Sequence, residues 1–129
     1  MNIISNEKRE ADLADAIVSR THEVYGYDFN ITNYATILSV LPDEWPERLE
    51  NLRVLHPHDA AAQCPPDDVV LLADLQQRDQ VSALIQSERV ERAKTQRILD
   101  ALDANLTGAG RDAALQAAIA RREAAVQAA

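Results

Sequence analysis

Apolar residues recur every three or four positions along most of the chain, the spacing typical of amphipathic helices. The first such stretch covers about residues 5–25, where Leu13, Ile17 and Val24 share one face and charged residues fill the other. A glycine follows at position 26, and glycine is common where helices end. We therefore predict a first helix that ends near Gly26.

The next stretch has a different periodicity of apolar residues. From residue 25 to residue 32, aromatic or apolar residues alternate with polar ones, which is the period of a β-strand. The alternation predicts a short extended segment. No second strand is evident nearby, and one strand does not make a sheet.

Helical spacing resumes over about residues 33–41, a stretch that Pro42 is expected to end. A further helix is predicted from Asp43, a residue type that caps helix N-termini well, with Pro46 in its first turn. This helix would continue to about His56.

The second half of the chain contains the longest helical pattern. Prolines make residues 57–67 a loop, and helix-forming sequence then runs from about residue 67 to residue 106. After Gly108 and Gly110, an alanine-rich stretch over residues 111–128 predicts a last helix, because alanine has the highest helix propensity. With few large side chains, this helix is expected to dock closely against another helix.

These patterns predict an all-α fold of about four to five helices, with the short extended segment near residues 25–32 as its one irregular feature. A chain of 129 residues has the usual size of one domain. We divide it into an N-terminal helical and aromatic region (1–56), a proline-rich loop (57–67), and the long helix with the C-terminal helix (68–129).

Charge and hydropathy argue against two classes of partner, nucleic acids and membranes. The net charge is −8, and most of the negative charge lies in residues 1–64. An acidic chain is repelled by a phosphate backbone, which argues against nucleic-acid binding. The longest apolar run, Val69 to Ala73, is far shorter than the roughly 20 residues that cross a bilayer, and the N-terminus has no apolar run of signal-peptide length. We expect no membrane association and a cytoplasmic location, or one inside a particle assembled in the cytoplasm.

Residues able to bind a metal or to act as a nucleophile concentrate in one short segment that holds His56, His58, Asp59 and Cys64. Their spacing matches no structural zinc motif, so we favour a solvated loop and leave the role of these side chains open. The sequence also lacks the phosphate-binding, zinc-protease and serine-hydrolase motifs. We predict a protein that is not an enzyme and that has no catalytic residues, cofactor or metal.

All the aromatic residues fall between positions 25 and 45. Aromatic side chains supply much of the buried area in protein cores and in interface hot spots. We favour a local core that pins the N-terminal helices, and the alternative is a patch that binds a basic partner. Aromatic residues and apolar residues of the long helix together make the candidate partner-binding set: Tyr25, Tyr27, Phe29, Tyr34, Trp45, Leu84, Ile98 and Leu102.

Large apolar side chains are too few in this chain to build a substantial core alone. We therefore expect a non-enzymatic structural, assembly or adaptor subunit that acts through helix-mediated contacts in a larger complex, such as a virion or another multi-subunit particle. Its partners would be copies of itself, other subunits, or both. The alternative is a small acidic regulator or inhibitor that occupies a basic surface of a partner protein.

Overall fold

The computed structural model describes residues 6–128; residues 1–5 and residue 129, at the ends of the predicted N- and C-terminal regions, lie outside the described residues. Every regular element in the described part is helical, so the prediction of an all-α fold is confirmed. The elements are α1 (Asn6–Leu38), α2 (Glu47–Leu55), α3 (Ala60–Gln63), a 3-10 turn (Pro66–Asp68), α4 (Val69–Asn105) and α5 (Arg111–Ala128).

The predicted helix end at Gly26 and the extended segment at residues 25–32 are wrong, because α1 continues through both. The residues on its inner side explain why. Val24 is buried and Asp28 and Ile31 are half-buried, at the three- and four-residue spacing of a helix. A single glycine inside a helix costs about 1 kcal/mol relative to alanine, which packing of this face outweighs.

The prediction that α2 begins at Asp43 is also wrong, since the helix begins at Glu47. Pro46 precedes it with ψ at 148°, an extended conformation. The carbonyl of Pro46 accepts hydrogen bonds from the amides of Leu49 (3.0 Å) and Glu50 (2.9 Å), which close the first turn. Proline therefore stands just before the helix, where its missing N–H costs no helical hydrogen bond.

The predicted loop at residues 57–67 contains the short helix α3, whose Ala60 is buried. The 3-10 turn then runs directly into α4, which is one continuous helix of 37 residues and confirms the predicted long helix. The turn between α4 and α5 depends on Gly108, whose φ of +97° is one that side chains with a Cβ rarely adopt.

The described residues form two compact units. Unit 1 contains α1 up to Asp28, α4 from Val90, and α5. Its core cluster includes Ala14 of α1 and Ala118 of α5, both almost fully buried. Short side chains at these positions let two helices approach closely, as expected for the alanine-rich C-terminal helix.

Unit 2 comprises residues 29–89. It contains the end of α1, the helices α2 and α3, and the first half of α4. Leu49 of α2 and the α4 residues Leu72 and Leu75 are fully buried here, and Val81 and Ile85 extend the buried side of α4. Unit 2 therefore has an aliphatic core built mainly on one face of α4.

Candidate protein-binding surfaces

Large apolar side chains are more often exposed than buried in this protein. Between residues 6 and 128, thirteen large hydrophobic side chains are exposed, whereas nine hydrophobic residues larger than alanine are buried. Single exposed apolar residues are normal on soluble proteins. Exposed apolar residues alone therefore do not identify a functional surface, and we looked instead for exposed surface that lacks charge, which lies on α4.

The first half of α4 exposes a side that carries no charge. Ten of its positions between residues 69 and 87 are exposed, and none of them is Asp, Glu, Lys or Arg. Six of the ten follow one another at alternating spacings of three and four residues, which places them in a single stripe along the helix. We call this stripe the uncharged α4 face; it consists of Val70, Ala73, Gln77, Gln80, Leu84 and Ser87.

Four of the five charged residues of this half of α4 are half-buried, and the fifth, Arg89, is exposed beyond the end of the uncharged α4 face. Asp79 accepts hydrogen bonds from the indole Nε1 of Trp45 (3.3 Å) and from Arg53 (2.8 Å). The Arg53 guanidinium also lies 4.2 Å from the centre of the Trp45 ring, within the range of a cation–π contact. Near the end of this half, Glu88 accepts a hydrogen bond from Asn30 of α1 (3.3 Å). Asp79 and Glu88 therefore join α4 to its neighbours within unit 2.

A second polar contact within unit 2 joins α2 to the 3-10 turn that precedes α4. The Arg48 guanidinium donates two hydrogen bonds to the carboxylate of Asp68, each 3.0 Å long. This pairing holds the pKa of Asp68 below its usual value. The nearby Cys64 has a raised pKa, mainly because it is partly desolvated and secondarily because Asp68 is close.

In the described residues, the segment with the candidate metal-binding and nucleophilic side chains does not form a metal site. Within residues 6–128, no group of three or more His, Cys, Asp or Glu side chains is arranged to hold a metal ion. His56 and Asp59 approach to 3.8 Å, and His58 is exposed. Cys64 is half-buried, and its raised pKa lowers the fraction of reactive thiolate.

The five aromatic residues of the candidate set do not share one surface. On α1, Tyr25 and Phe29 are each 67% exposed, one turn apart, whereas Tyr27 and Tyr34 are half-buried. A strand would have placed residues 25, 27 and 29 on one side, but a helix turns residues two apart to different sides. Trp45 is half-buried against Arg53 and Asp79.

The apolar members of the set divide between surface and core. Leu84 of the uncharged α4 face and Ile98 farther along the helix are 46% and 43% exposed. Leu102 instead packs against the core cluster of unit 1. Leu84 and Ile98 are therefore available to a partner, whereas Leu102 helps to hold unit 1 together.

Sequence reasoning selected Leu84 but missed the rest of the uncharged α4 face. The available signal was the cluster of glutamines at positions 76, 77, 80 and 86. In a chain with 26% charged residues, a long helix is expected to present Glu and Lys at such solvent positions. Neutral residues at every exposed position of five turns mark the surface that hydrophobic spacing alone does not reveal.

Unit 1 carries a smaller apolar groove between α1 and α5. Its volume is about 230 Å³, and Ile119 and Val126 of α5 line it together with His22 of α1. Arg122, Glu123 and Gln127 complete the lining. Because charged side chains line this groove and none lies on the uncharged α4 face, we treat the groove as secondary.

Comparison of the chain with protein-family models, with curated proteins and with solved structures found no match. Among the helices of residues 6–128, none combines the length and the apolar content that crossing a membrane requires.

Proposed function

We propose that this protein is a non-enzymatic structural or adaptor subunit that joins a larger complex through helix-mediated contacts, and that the uncharged α4 face is its main binding surface. The observation that carries the proposal is the absence of charge at all ten exposed positions of α4 between residues 69 and 87. The centres of protein–protein interfaces are likewise depleted of charged residues.

The energetic reason is desolvation. Burying a charged side chain under a partner is costly unless a matching charge meets it, whereas a glutamine amide needs only a hydrogen bond. Val70, Ala73 and Leu84 add apolar area, and helical spacing presents them as anchors for a partner helix. A face with this composition loses little on leaving water, which supports a role in binding.

The same proposal states that the protein is not an enzyme. The raised pKa of Cys64 works against its use as a nucleophile. The partner-facing part of the molecule is a convex helix surface, whereas enzymes that act on small molecules use concave sites.

Site-specific photo-crosslinking in the source cells tests the proposed function. A photo-reactive phenylalanine analogue at position 84 reports on the uncharged α4 face. The same analogue at position 97, an exposed site in the second half of α4, is the matched control. We expect discrete crosslinked products from position 84 and far weaker ones from position 97.

Mass spectrometry of the products then identifies the partner as the same chain or a different one. Equal yields from positions 84 and 97, or no product from either, would contradict the proposed function.

The acidic-regulator hypothesis is a second candidate, and one observation favours it. Three exposed acidic residues lie close together at the N-terminal side of α2, in the unit that holds most of the net negative charge: Asp43 and Glu44 before the helix and Glu47 as its first residue. If a basic partner bound there, its affinity would fall steeply with added salt. Binding through the uncharged α4 face would change little between 50 mM and 500 mM salt, so a salt titration of the purified complex separates the two candidates.

A further inference from the structure

The uncharged α4 face is complementary to itself when two copies run in opposite directions. About a two-fold axis between positions 78 and 79, Gln77 of one copy lies opposite Gln80 of the other, Ala73 lies opposite Leu84, and Val70 lies opposite Ser87. We propose that this face binds the same face of a second copy of the chain in an antiparallel helix pair. The inference rests on the proposed function and names its partner.

Side-chain size supports the antiparallel direction. Two helices with a seven-residue repeat interlock best when large side chains on one fit beside small ones on the other. The antiparallel arrangement sets Leu84 against Ala73 twice, once on each side of the axis. A parallel arrangement would set Leu84 against Leu84 and leave two alanines facing each other over a gap.

Charge supports a second copy over a charged partner. Asp74, Arg78, Asp79 and Glu88 are half-buried and lie outside the stripe, and the exposed Arg89, two residues after Ser87, faces away from it. The line of contact between the two copies, which we call the seam, therefore has no charged residue at its centre, although Asp74 and Glu88 flank it and each chain carries a net charge of −8. A partner helix with charged residues at the seam would have to desolvate them against neutral side chains.

The glutamines give the seam its register. At its centre, the amides of Gln77 and Gln80 can each donate to and accept from the glutamine of the other copy. A shift of one heptad would break these pairs and would place Leu84 opposite glutamine. Polar residues at such seam positions specify register and helix direction at some cost in stability.

The length of the seam predicts a weak dimer. Residues 70–87 span about 27 Å of helix at 1.5 Å per residue. One helix per subunit over this length corresponds to the small end of specific interfaces. The pair should form at high protein concentration and dissociate on dilution.

Sedimentation equilibrium of the full chain over a wide concentration range tests the inference. We expect the wild type to shift from monomer to dimer with increasing concentration. Leu84→Glu should raise the dimer dissociation constant at least tenfold, because it places a charge against Ala73 of the other copy. Ala101→Glu adds the same charge at an exposed site in the second half of α4 and should leave the constant unchanged.

A double variant tests the helix direction. Gln77→Lys combined with Gln80→Glu creates two Lys–Glu pairs across an antiparallel seam, but Lys–Lys and Glu–Glu pairs across a parallel one. We expect the double variant to dimerise at least as well as the wild type at low salt. Circular dichroism at low concentration verifies that every variant is folded.

Three results would overturn the inference: a wild type that stays monomeric at the highest concentration, equal effects of Leu84→Glu and Ala101→Glu, or a double variant that dissociates like Leu84→Glu. The crosslinking experiment keeps this failure distinct from failure of the proposed function. A monomeric protein that crosslinks at position 84 to a different chain removes the second copy as partner and leaves the binding role in place.

Discussion

The two halves of α4 expose different kinds of side chain to solvent although they belong to one continuous helix. In the first half, none of the ten exposed positions from 69 to 87 is charged. In the second half, five of the eleven exposed positions from 90 to 105 are charged. The second half has the mixture of charged and neutral exposed residues that is usual for a surface helix. In the first half, Asp79 and Glu88 contact α2 and α1, and every exposed position up to residue 87 is neutral, which is the surface that we propose a partner covers.

The largest expected effect on the free energy of unfolding comes from substitutions on the buried side of the first half of α4. Leu75 is fully buried and Val70 is 73% exposed, on the opposite side of the same turns. Leu75→Ala should lower the free energy of unfolding by about 2–5 kcal/mol, because it leaves a cavity in the core of unit 2. Val70→Ala, measured at a concentration where the chain is monomeric, should change it by less than about 0.5 kcal/mol. Urea unfolding of both variants provides the comparison, and a loss above 1 kcal/mol for Val70→Ala would mean that the uncharged α4 face is covered within the monomer.

The next effect tests whether charged residues in the first half of α4 stabilise its contacts with neighbouring elements. Asp79 accepts hydrogen bonds from Trp45 and Arg53, whereas the described residues supply no hydrogen bond or ion pair to Asp74. Asp79→Asn should cost about 1 kcal/mol of unfolding free energy, since the pair is partly exposed and the contact with Arg53 loses its charge. Asp74→Asn should have almost no effect. Equal stabilities of the two variants in chemical denaturation would show that Asp79 is only a solvated charge.

The sequence specifies the limits of α4 and α5 well because strong local signals mark them. Pro65 and Pro66 stand before α4, and Gly108 provides the positive φ of the turn that follows it. The predicted end of α1 was wrong because Gly26, and the alternation of apolar and polar residues after it, are weak local signals. One contact that supports the helix there comes from far along the chain: Asp28 accepts a hydrogen bond from Arg92 of α4 at 2.5 Å. Single-sequence patterns do not contain such pairings.

The candidate site was only partly predictable for the same reason. Apolar spacing identified Leu84 and Ile98 on helical stripes but could not say which stripe faces the core. In the structure the core of unit 2 takes Leu72, Leu75 and Val81, which leaves Leu84 outside. The absence of charge around Leu84 was readable in the sequence, although its meaning depends on which positions are exposed.

A smaller effect concerns the entry into α4 and depends on pH. Because Arg48 holds the pKa of Asp68 below its usual value, the folded state favours the ionised carboxylate. This contribution to stability is fully present above the ordinary carboxyl pKa of about 4, falls as the pH drops through that value, and is lost below the lower pKa of the folded state. The difference in unfolding free energy between wild type and Asp68→Asn should therefore shrink as the pH is lowered from 6 to 3. Asp67→Asn, at an exposed neighbouring position, should show a smaller difference that changes less. A constant difference for Asp68→Asn across this range would refute the role of the ion pair.

The smallest effect is expected in the second half of α4, where the charges face water. Lys94 and Glu91 form an ion pair of 3.1 Å, and both side chains are at least half exposed. Pairs three residues apart on a helix surface contribute about 0.2–0.5 kcal/mol, and salt screens them. Lys94→Gln should therefore lower the unfolding free energy by no more than that amount at low salt and by nothing measurable at 500 mM salt. Its dimerisation should match that of the wild type, because Lys94 lies beyond the uncharged α4 face. If Lys94→Gln instead weakened dimerisation as strongly as Leu84→Glu, the charged half of the helix would also face a partner, and the contrast between the two halves would no longer mark the binding surface.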